Sequence, residues 1–487
     1  MTDNENRNET LPEEESRGAS PAGQSRAPAG AKRPVPKVLV GIVAVLAAVA
    51  LFFGGFFTYK TTLPEGVRSL LWFKEQIDSN YYQDVSDEDF WDAALHGAAD
   101  VLDMYSAYYT AEEYDVEYNS MLGLMEGMGL SFFSSTNKIY RVAINSPAFF
   151  AETAEGEKGA VQAGMYLTGV GASADSIVDT LYTPVPVSGG VTYTTDNPVS
   201  AEISKYKAGD TVYLRLSSVE GNDTEHCVIV PVTFAAYTET YLLYAYNGRA
   251  WAFVDDGTGA AVWTDVSEYV SVDEKMADGT AYVRIVEFAG NAGSGFRQLA
   301  EQYKSDGAQR MLLDLRNNGG GDLGDLMLIA GYLLRDADSP TARLLTAVYK
   351  DGTRYNFAAS GDYFADYFGD SEVYVAANGN TASASEALLG AMISYGTCSY
   401  EDVYLTDADG DGAAKTYGKG IMQQFYTDSS TGDVAKMTTA VLYWPNGTCI
   451  HDVGVTTSDG AKATQGASSN ADYGDAELDY ILSAIAA

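Results

Sequence analysis

Three short stretches hold the residue types from which hydrolytic chemistry can be built. In "NTASASEALLGAM", residues 380–392, Ser383 and Ser385 stand between alanines just ahead of a helical pattern. A serine at a strand-to-helix turn can present its hydroxyl at the C-terminal edge of a parallel sheet, where ligands of open α/β folds bind. The same Ser383, followed three residues on by Glu386, also reads as a capping box that satisfies helix N–H groups and does no chemistry. In "MLLDLRNNGGGDLGDLMLIAGYLL", residues 311–334, a buried strand runs into Gly319, Gly320 and Gly321 and then a helix. Glycines allow close backbone approach, and the first N–H groups of a helix favour negative charge, so anion or oxyanion binding is one reading and a plain tight turn the other. The glycine spacing fits neither GxxxxGK[ST] nor GxGxxG, which argues against a phosphate loop.

A serine nucleophile needs a base, and histidine is scarce: His96, His226 and His451 are scattered singly. That scarcity makes a Ser-His-Asp triad or a histidine metal site hard to assemble. Lysine is the remaining candidate, and "KTYGKGIMQQF", residues 415–425, sets Lys419 between two glycines ahead of a strand pattern. A lysine acts as a base only when neutral, so its pKa must fall from ~10.4 toward about 7, roughly 4 to 5 kcal/mol of environmental bias. Burial without a carboxylate partner supplies such a bias. Gln423, four residues on, offers a neutral acceptor that aims the amine without stabilising its charge as an acid would. Read alone, Lys419 is equally a solvated surface lysine.

Other chemistries find less support. "DADGDG", residues 407–412, resembles the start of an EF-hand loop, but the twelfth position is Gly418 where a glutamate is needed, so an acidic solvated turn is expected and no metal. Cys227, Cys398 and Cys449 show no CxxC spacing; a single bond between Cys398 and Cys449 and buried free thiols are both open. No cofactor is implied. The net charge is −37, and from residue 61 onward 61 acidic side chains face 23 basic ones, so nucleic acid and anionic lipid are poor partners.

The elements that must hold these residues can be read from periodicity. At 487 residues the chain exceeds one ordinary core, so several domains are expected. Residues 1–36 are polar and read as a disordered cytoplasmic tail. From Val38 to Phe57, 20 residues carry no charge, enough to cross a ~30 Å hydrocarbon layer, so a transmembrane helix is expected at 37–59. Lys32, Arg33 and Lys37 precede it, which keeps the N-terminus cytoplasmic and sends the rest across; a cleaved signal peptide is the rival reading. Residues 60–120 read as a small helical segment, with Ser86 or Asp87 as an N-cap. Residues 121–238 read as a β-rich module of short strands with one helix around "GAVQAGM". From 239 to 487 strands and helices alternate, which indicates an α/β domain with a mostly parallel sheet. The expected fold is thus α+β and multidomain.

Taken together, "DLRNNGGG", "TASASE" and "GKGIMQ" resemble the C-terminal processing peptidases, or tail-specific proteases, of serine peptidase family S41. "DMYSAYYTAEEY" at 103–114 is similar to that family's D-P-Y-S-x-Y stretch, and "GMGLSF" at 127–132 to its PDZ carboxylate loop. The resemblance covers about residues 68–460, in the family's order. It implies Ser383 as nucleophile, Lys419 as general base, Gln423 as its orienting partner, and the N–H groups of Gly320 and Ala384 as oxyanion hole. Ser385 is then structural. It also implies that 121–238 is PDZ-like and that Met128, Gly129 and Leu130 hold a substrate C-terminus. The implied function is a membrane-anchored extracytoplasmic serine endopeptidase that cleaves proteins with exposed C-termini and is compatible with a homo-oligomer. A catalytically silent PDZ-containing binding protein on the same fold is the alternative. Three departures bear on preference and regulation: Ser394 stands eleven positions after Ser383 where some members have an acid, "LTGVG" replaces the usual P-G-D turn, and 399–415 looks like an insert between Ser383 and Lys419.

Overall fold

The apolar run "RMLLD" forms the strand Arg310–Asp314, and four of its five residues are buried because both faces of the sheet are covered. The computed structural model describes residues 44–51, 62–180, 182–187, 190–195, 198–219, 221, 226–255, 261–270, 279–335, 342–407, 410–465 and 476–486. The tail expected at 1–36 lies outside these residues. Of the expected span at 37–59, only 44–51 is described, and it is helical. Among the described residues no helix is long and apolar enough to cross a membrane.

Arg310–Asp314 belongs to an eight-stranded sheet. Its parallel half runs Thr280–Ile285, Arg310–Asp314, Glu372–Ala377, Val403–Asp407 and Lys462–Gln465 in that order. Leu242–Tyr246, Arg249–Asp255 and Ala261–Asp265 extend it as an antiparallel meander beside Thr280–Ile285. Helices Ala292–Asp306, Leu323–Leu333 and Ala384–Ser394 connect or follow the parallel strands. Their apolar faces and those of the strands form the largest core, which includes Phe288, Phe296, Leu313, Leu326, Leu388 and Trp444. The mixed α/β architecture expected from 239 onward is therefore present, with three antiparallel strands added to five parallel ones.

A second, antiparallel sheet carries Ala107–Tyr109, Val434–Tyr443, Arg343–Tyr349 and Arg354–Ala358, with Ile421–Thr427 paired to Val434–Tyr443. Register sets Gln423 opposite Thr438, just after an irregularity between Met422 and Gln423. A third core is built from Met128, Ile139, Leu167, Leu214, Leu216, Val230 and Phe234, within the span read as the β-rich module.

Two expectations need correction. "GAVQAGM" is not helical: Gly159 and Gly164 take φ of +62° and +90°, which breaks any helix there, and the helix of this module is Pro198–Ile203. The apparent insert at 399–415 contains Val403–Asp407, all five residues buried, which is an inner strand of the main sheet. The three cysteines are all free, and burial holds the Cys398 thiol well above its usual range. In "DADGDG", the Asp407 carboxylate turns back to accept Gly410 and Gly412 N–H at 2.8 and 2.7 Å.

The unit ending at Phe90 holds helix Glu65–Asn80 and the start of helix Asp87–Ala99. Ser86 is the N-cap here, accepting the Asp89 N–H at 3.0 Å. Lys74 joins the two helices through Asp87 at 2.6 Å and lies over the Phe90 ring.

Candidate active site

Ser383 sits at the first turn of helix Ala384–Ser394 with φ +56° and ψ −114°. A non-glycine residue at positive φ costs of order 1–3 kcal/mol and persists only where its surroundings impose it. They do so through a chain of hydrogen bonds between the two strand ends. Asn378 N–H donates to Thr381 Oγ1 at 2.9 Å, the Thr381 hydroxyl donates to Leu315 O at 2.8 Å, and Ala382 N–H donates to Asn318 O at 3.0 Å. The Ser385 hydroxyl also donates to Asn318 O at 3.0 Å and is fully buried, which gives that serine a structural place. Ser383 is half-buried and forms a capping box with Glu386, whose side chain accepts the Ser383 N–H at 3.0 Å; a hydroxyl that accepts from the helix still has its own proton to give.

Gly320 lies against this turn. A Cβ there would stand 2.7 Å from Ser383 Cβ and 2.9 Å from Ala384 N, and its φ is +109°, so glycine is required on both counts. Its own N–H donates to Asn318 Oδ1 at 2.9 Å, and the buried Asn318 amide donates to Ile285 O at 2.7 Å. Ala384 N–H is a first-turn group with no intrahelical acceptor. The expected pair of donors is thus adjacent to Ser383, and the Gly320 donor already has a partner.

The capping-box residue Glu386 proves to be the centre of the site. Its side chain is fully buried and receives four donors: Thr416 Oγ1 at 2.6 Å and Gly418 N at 2.7 Å on one oxygen, Lys419 N at 2.8 Å and Ser383 N at 3.0 Å on the other. Ser383 and Lys419, 36 positions apart in the chain, are thereby bound by their backbones to a single carboxylate oxygen. Burial is the largest cause and leaves the Glu386 pKa above its usual range, while the four donors, three of them backbone N–H groups that can only donate, favour the carboxylate.

Lys419 is half-buried between Gly418 and Gly420. Gly418 takes φ +90°, and a Cβ there would press to 3.0 Å on Val453 N and Gly454 N. The Lys419 ammonium position lies 4.5 Å from the centre of the Tyr105 ring, whose hydroxyl donates to Tyr417 Oη at 2.9 Å. Burial is the main cause that lowers the Lys419 pKa, and Lys436 adds to it, while Asp103 and Glu386 pull the other way. Gln423 donates from Nε2 to Thr438 Oγ1 at 2.9 Å, which leaves its Oε1 available.

Met128, Gly129 and Leu130 stand apart from this cluster, in the third core and its short sheets. Met128 O and Gly129 O accept Ala148 and Ala143 N–H at 2.9 and 2.8 Å, and Leu130 begins a strand paired to Ile139–Val142. Gly129, at φ +81°, packs on Ser146. In the sequence Glu386 reads only as a cap, and Thr416, Tyr105, Asp103 and Thr438 carry no assigned role. Ser-x-x-Glu was the signal for the first, and "DMYS" marked Asp103 and Tyr105 without saying what they touch.

Residues 279–458 match the model of peptidase family S41. Among curated relatives, the carboxyl-terminal-processing protease of Synechocystis sp. is 30% identical over 183 residues, which are 38% of this chain and 38% of that protein. The carboxyl-terminal-processing protease of Picosynechococcus sp. is 30% identical over 158 residues, 32% of this chain and 33% of that protein. The matched stretches thus span little more than a third of these relatives. Among solved structures, the photosystem II D1 C-terminal processing protease is 17% identical with a TM-score of 0.43, over 85% of this chain and 91% of that one.

Proposed function

We propose that the chain is a serine endopeptidase that uses a Ser383–Lys419 dyad to cleave proteins near exposed C-termini. The observation that carries this reading is the shared carboxylate oxygen of Glu386, which ties the backbones of both residues at 3.0 and 2.8 Å. A helix cap alone has no need of a buried lysine loop on its second side. In the reaction, neutral Lys419 Nζ takes the proton of Ser383 Oγ as Oγ attacks the substrate carbonyl carbon. The negative oxygen that forms is received by Ala384 N–H and by Gly320 N–H, which shares its hydrogen with Asn318 Oδ1 until the oxyanion is present. The Lys419 ammonium then returns its proton to the leaving amine as the C–N bond breaks. Water, deprotonated by the same Lys419, hydrolyses the acyl-enzyme and regenerates the serine.

Gln423 offers its Oε1 to the Lys419 amine. In the module at 121–238, taken as PDZ-like, the free edge of Leu130–Phe132 would receive the substrate tail as an added strand, with the terminal carboxylate at Met128 to Leu130. The uncharged run at 38–57 anchors the chain in the membrane with its N-terminus cytoplasmic and the peptidase outside.

The test is incubation of the full chain in detergent with an unfolded protein bearing an apolar C-terminus, beside Ser383→Ala. Cleavage by the parent and none by the variant is expected. Equal cleavage by both sinks the catalytic assignment, and tail binding with no cleavage by either supports a silent binding protein instead.

A further inference from the structure

Beyond the dyad, a set of polar contacts leads from Gln423 away from the serine. Gln423 Nε2 donates to Thr438 Oγ1 at 2.9 Å, and the Thr438 hydroxyl donates to Asp103 Oδ1 at 3.1 Å. That same Oδ1 accepts Tyr105 N–H at 2.9 Å and the Ser106 hydroxyl at 3.1 Å, and Ser106 Oγ accepts Thr438 N–H at 3.1 Å. The tetrapeptide Asp103 to Ser106 is thus docked onto strand Val434–Tyr443 at Thr438, and its Tyr105 ring covers the Lys419 amine. We propose that Asp103 and Thr438 are positioning residues that fix which end of the Gln423 amide is offered to Lys419. The inference rests on the dyad reading above.

Hydrogen-bond polarity sets this orientation. A threonine hydroxyl has a single proton to donate, and an ionised carboxylate can only accept. With Asp103 fixed as acceptor, the Thr438 proton is committed to it, and Thr438 Oγ1 can only accept from Gln423. The NH2 end of Gln423 must therefore face Thr438, and Oε1 is the end left for Lys419. Without Asp103 the Thr438 proton is free to turn toward Gln423 Oε1. The amide can then flip and present NH2 to Lys419, a donor facing a donor. No other contact of the Gln423 side chain is needed for this control.

Asp103 is solvent-exposed, so its effect through space is screened, whereas its effect through Thr438 is a matter of contact. The charged and titratable groups around the Lys419 amine are Asp103, Glu386, Lys436 and the Tyr105 phenol. All three accepted bonds converge on Asp103 Oδ1, so an asparagine that keeps this oxygen can preserve the relay while losing the charge. That separates geometry from charge.

The test measures kcat and KM against pH for the full chain and for Ser383→Ala, Thr438→Val, Thr438→Ser, Asp103→Ala and Asp103→Asn. Thr438→Val and Asp103→Ala are expected to lower the alkaline plateau of kcat about tenfold with KM little changed, a fraction of the hundredfold or more that a positioned proton-transfer group contributes. Thr438→Ser and Asp103→Asn, which keep the hydroxyl and the accepting oxygen, restore the plateau. Asp103→Asn also moves the rising limb to lower pH, by an amount that shrinks as salt is added. A merely structural role would lower folded yield and leave the kcat of the folded fraction at the parent plateau. Thr438→Val at the parent plateau and limb, with Ser383→Ala inactive, overturns the relay and leaves the dyad standing. Ser383→Ala as active as the parent overturns the dyad and the relay with it. If Thr438→Val does not fold, Asp103→Ala in the exposed loop decides: a parent plateau there refutes the relay.

Discussion

Glu386→Gln tests whether one buried carboxylate holds the site together. The substitution keeps volume and changes one oxygen into an NH2 group. Two orientations are open to the new amide. With NH2 toward Ser383 and Lys419, two backbone N–H groups lose their acceptor and face a donor. With NH2 toward Thr416 and Gly418, only Gly418 N–H is stranded, because the Thr416 hydroxyl, which already accepts Val455 N–H at 2.8 Å, can turn its proton and accept again. Each stranded buried donor costs about 1–3 kcal/mol, so the second orientation wins and the expected loss of stability is about 1–3 kcal/mol. Glu386→Ala strands three N–H groups and leaves a cavity, so its loss is expected to be several-fold larger, of order 4–8 kcal/mol.

The orientation of the amide also decides the catalytic outcome. In the favoured orientation the retained oxygen still ties Ser383 N to Lys419 N, so Glu386→Gln keeps measurable activity while Glu386→Ala loses it. Glu386 is one of the groups that raise the Lys419 pKa. Its neutralisation therefore moves the limb of activity toward lower pH. Chemical denaturation gives the stability difference and initial rates across pH give the limb. A Glu386→Gln chain as stable as the parent, with an unmoved limb, refutes the claim that this carboxylate organises the dyad. So does Glu386→Ala with parent activity.

Four further outcomes are expected. Lys419→Arg is expected to be inactive at every accessible pH, because a guanidinium keeps its proton; cleavage at the parent rate refutes the base assignment. For the parent, burial lowers the Lys419 pKa, so activity rises as pH passes through that lowered value and stays high above it; a bell with an acid limb that disappears with His451→Gln would contradict this. Amidating a substrate's C-terminus removes the charge expected at Met128 to Leu130 and should raise KM with little change in kcat, checked by rates on paired amidated and free peptides; equal KM values refute that docking. A reporter fused after Ala487 should be active only outside the cytoplasm, and activity inside would refute the proposed topology.

The sequence made the main sheet legible because its strands and helices have pure periodicities. "MLLDLR", "EVYVAAN" and "SASEALLGAM" each became the element that their pattern indicates, at Arg310–Asp314, Glu372–Ala377 and Ala384–Ser394. Val403–Asp407 was hidden because its flanks, "SYED" and "DADGDG", are acidic and make a buried strand look like part of a solvated excursion. "GAVQAGM" misled in the opposite direction, since its apolar residues match a helical repeat while Gly159 and Gly164 take backbone angles that no helix contains. Local pattern reports what a segment prefers, and neighbours decide which preference is used.

At the site, what could be read was the identity of residues, and what could not was their connection. Ser383-x-x-Glu386 looks the same whether Glu386 caps one helix or also gathers Thr416, Gly418 and Lys419 from 30 or more positions away. The difference lies in long-range contacts, which leave no spacing in the sequence. Asp103 is the sharper case, because an exposed aspartate before an aromatic residue is ordinary turn composition. Only the register that sets Gln423 opposite Thr438 gives the aspartate a direction in which to act. A buried carboxylate that joins two backbones, and an exposed one that sets the sense of an amide two contacts away, both act on the same lysine. The first governs where Lys419 stands and the second what it faces, so Glu386→Ala and Asp103→Ala should fail differently: one by losing the folded site, the other by keeping it and reacting slowly.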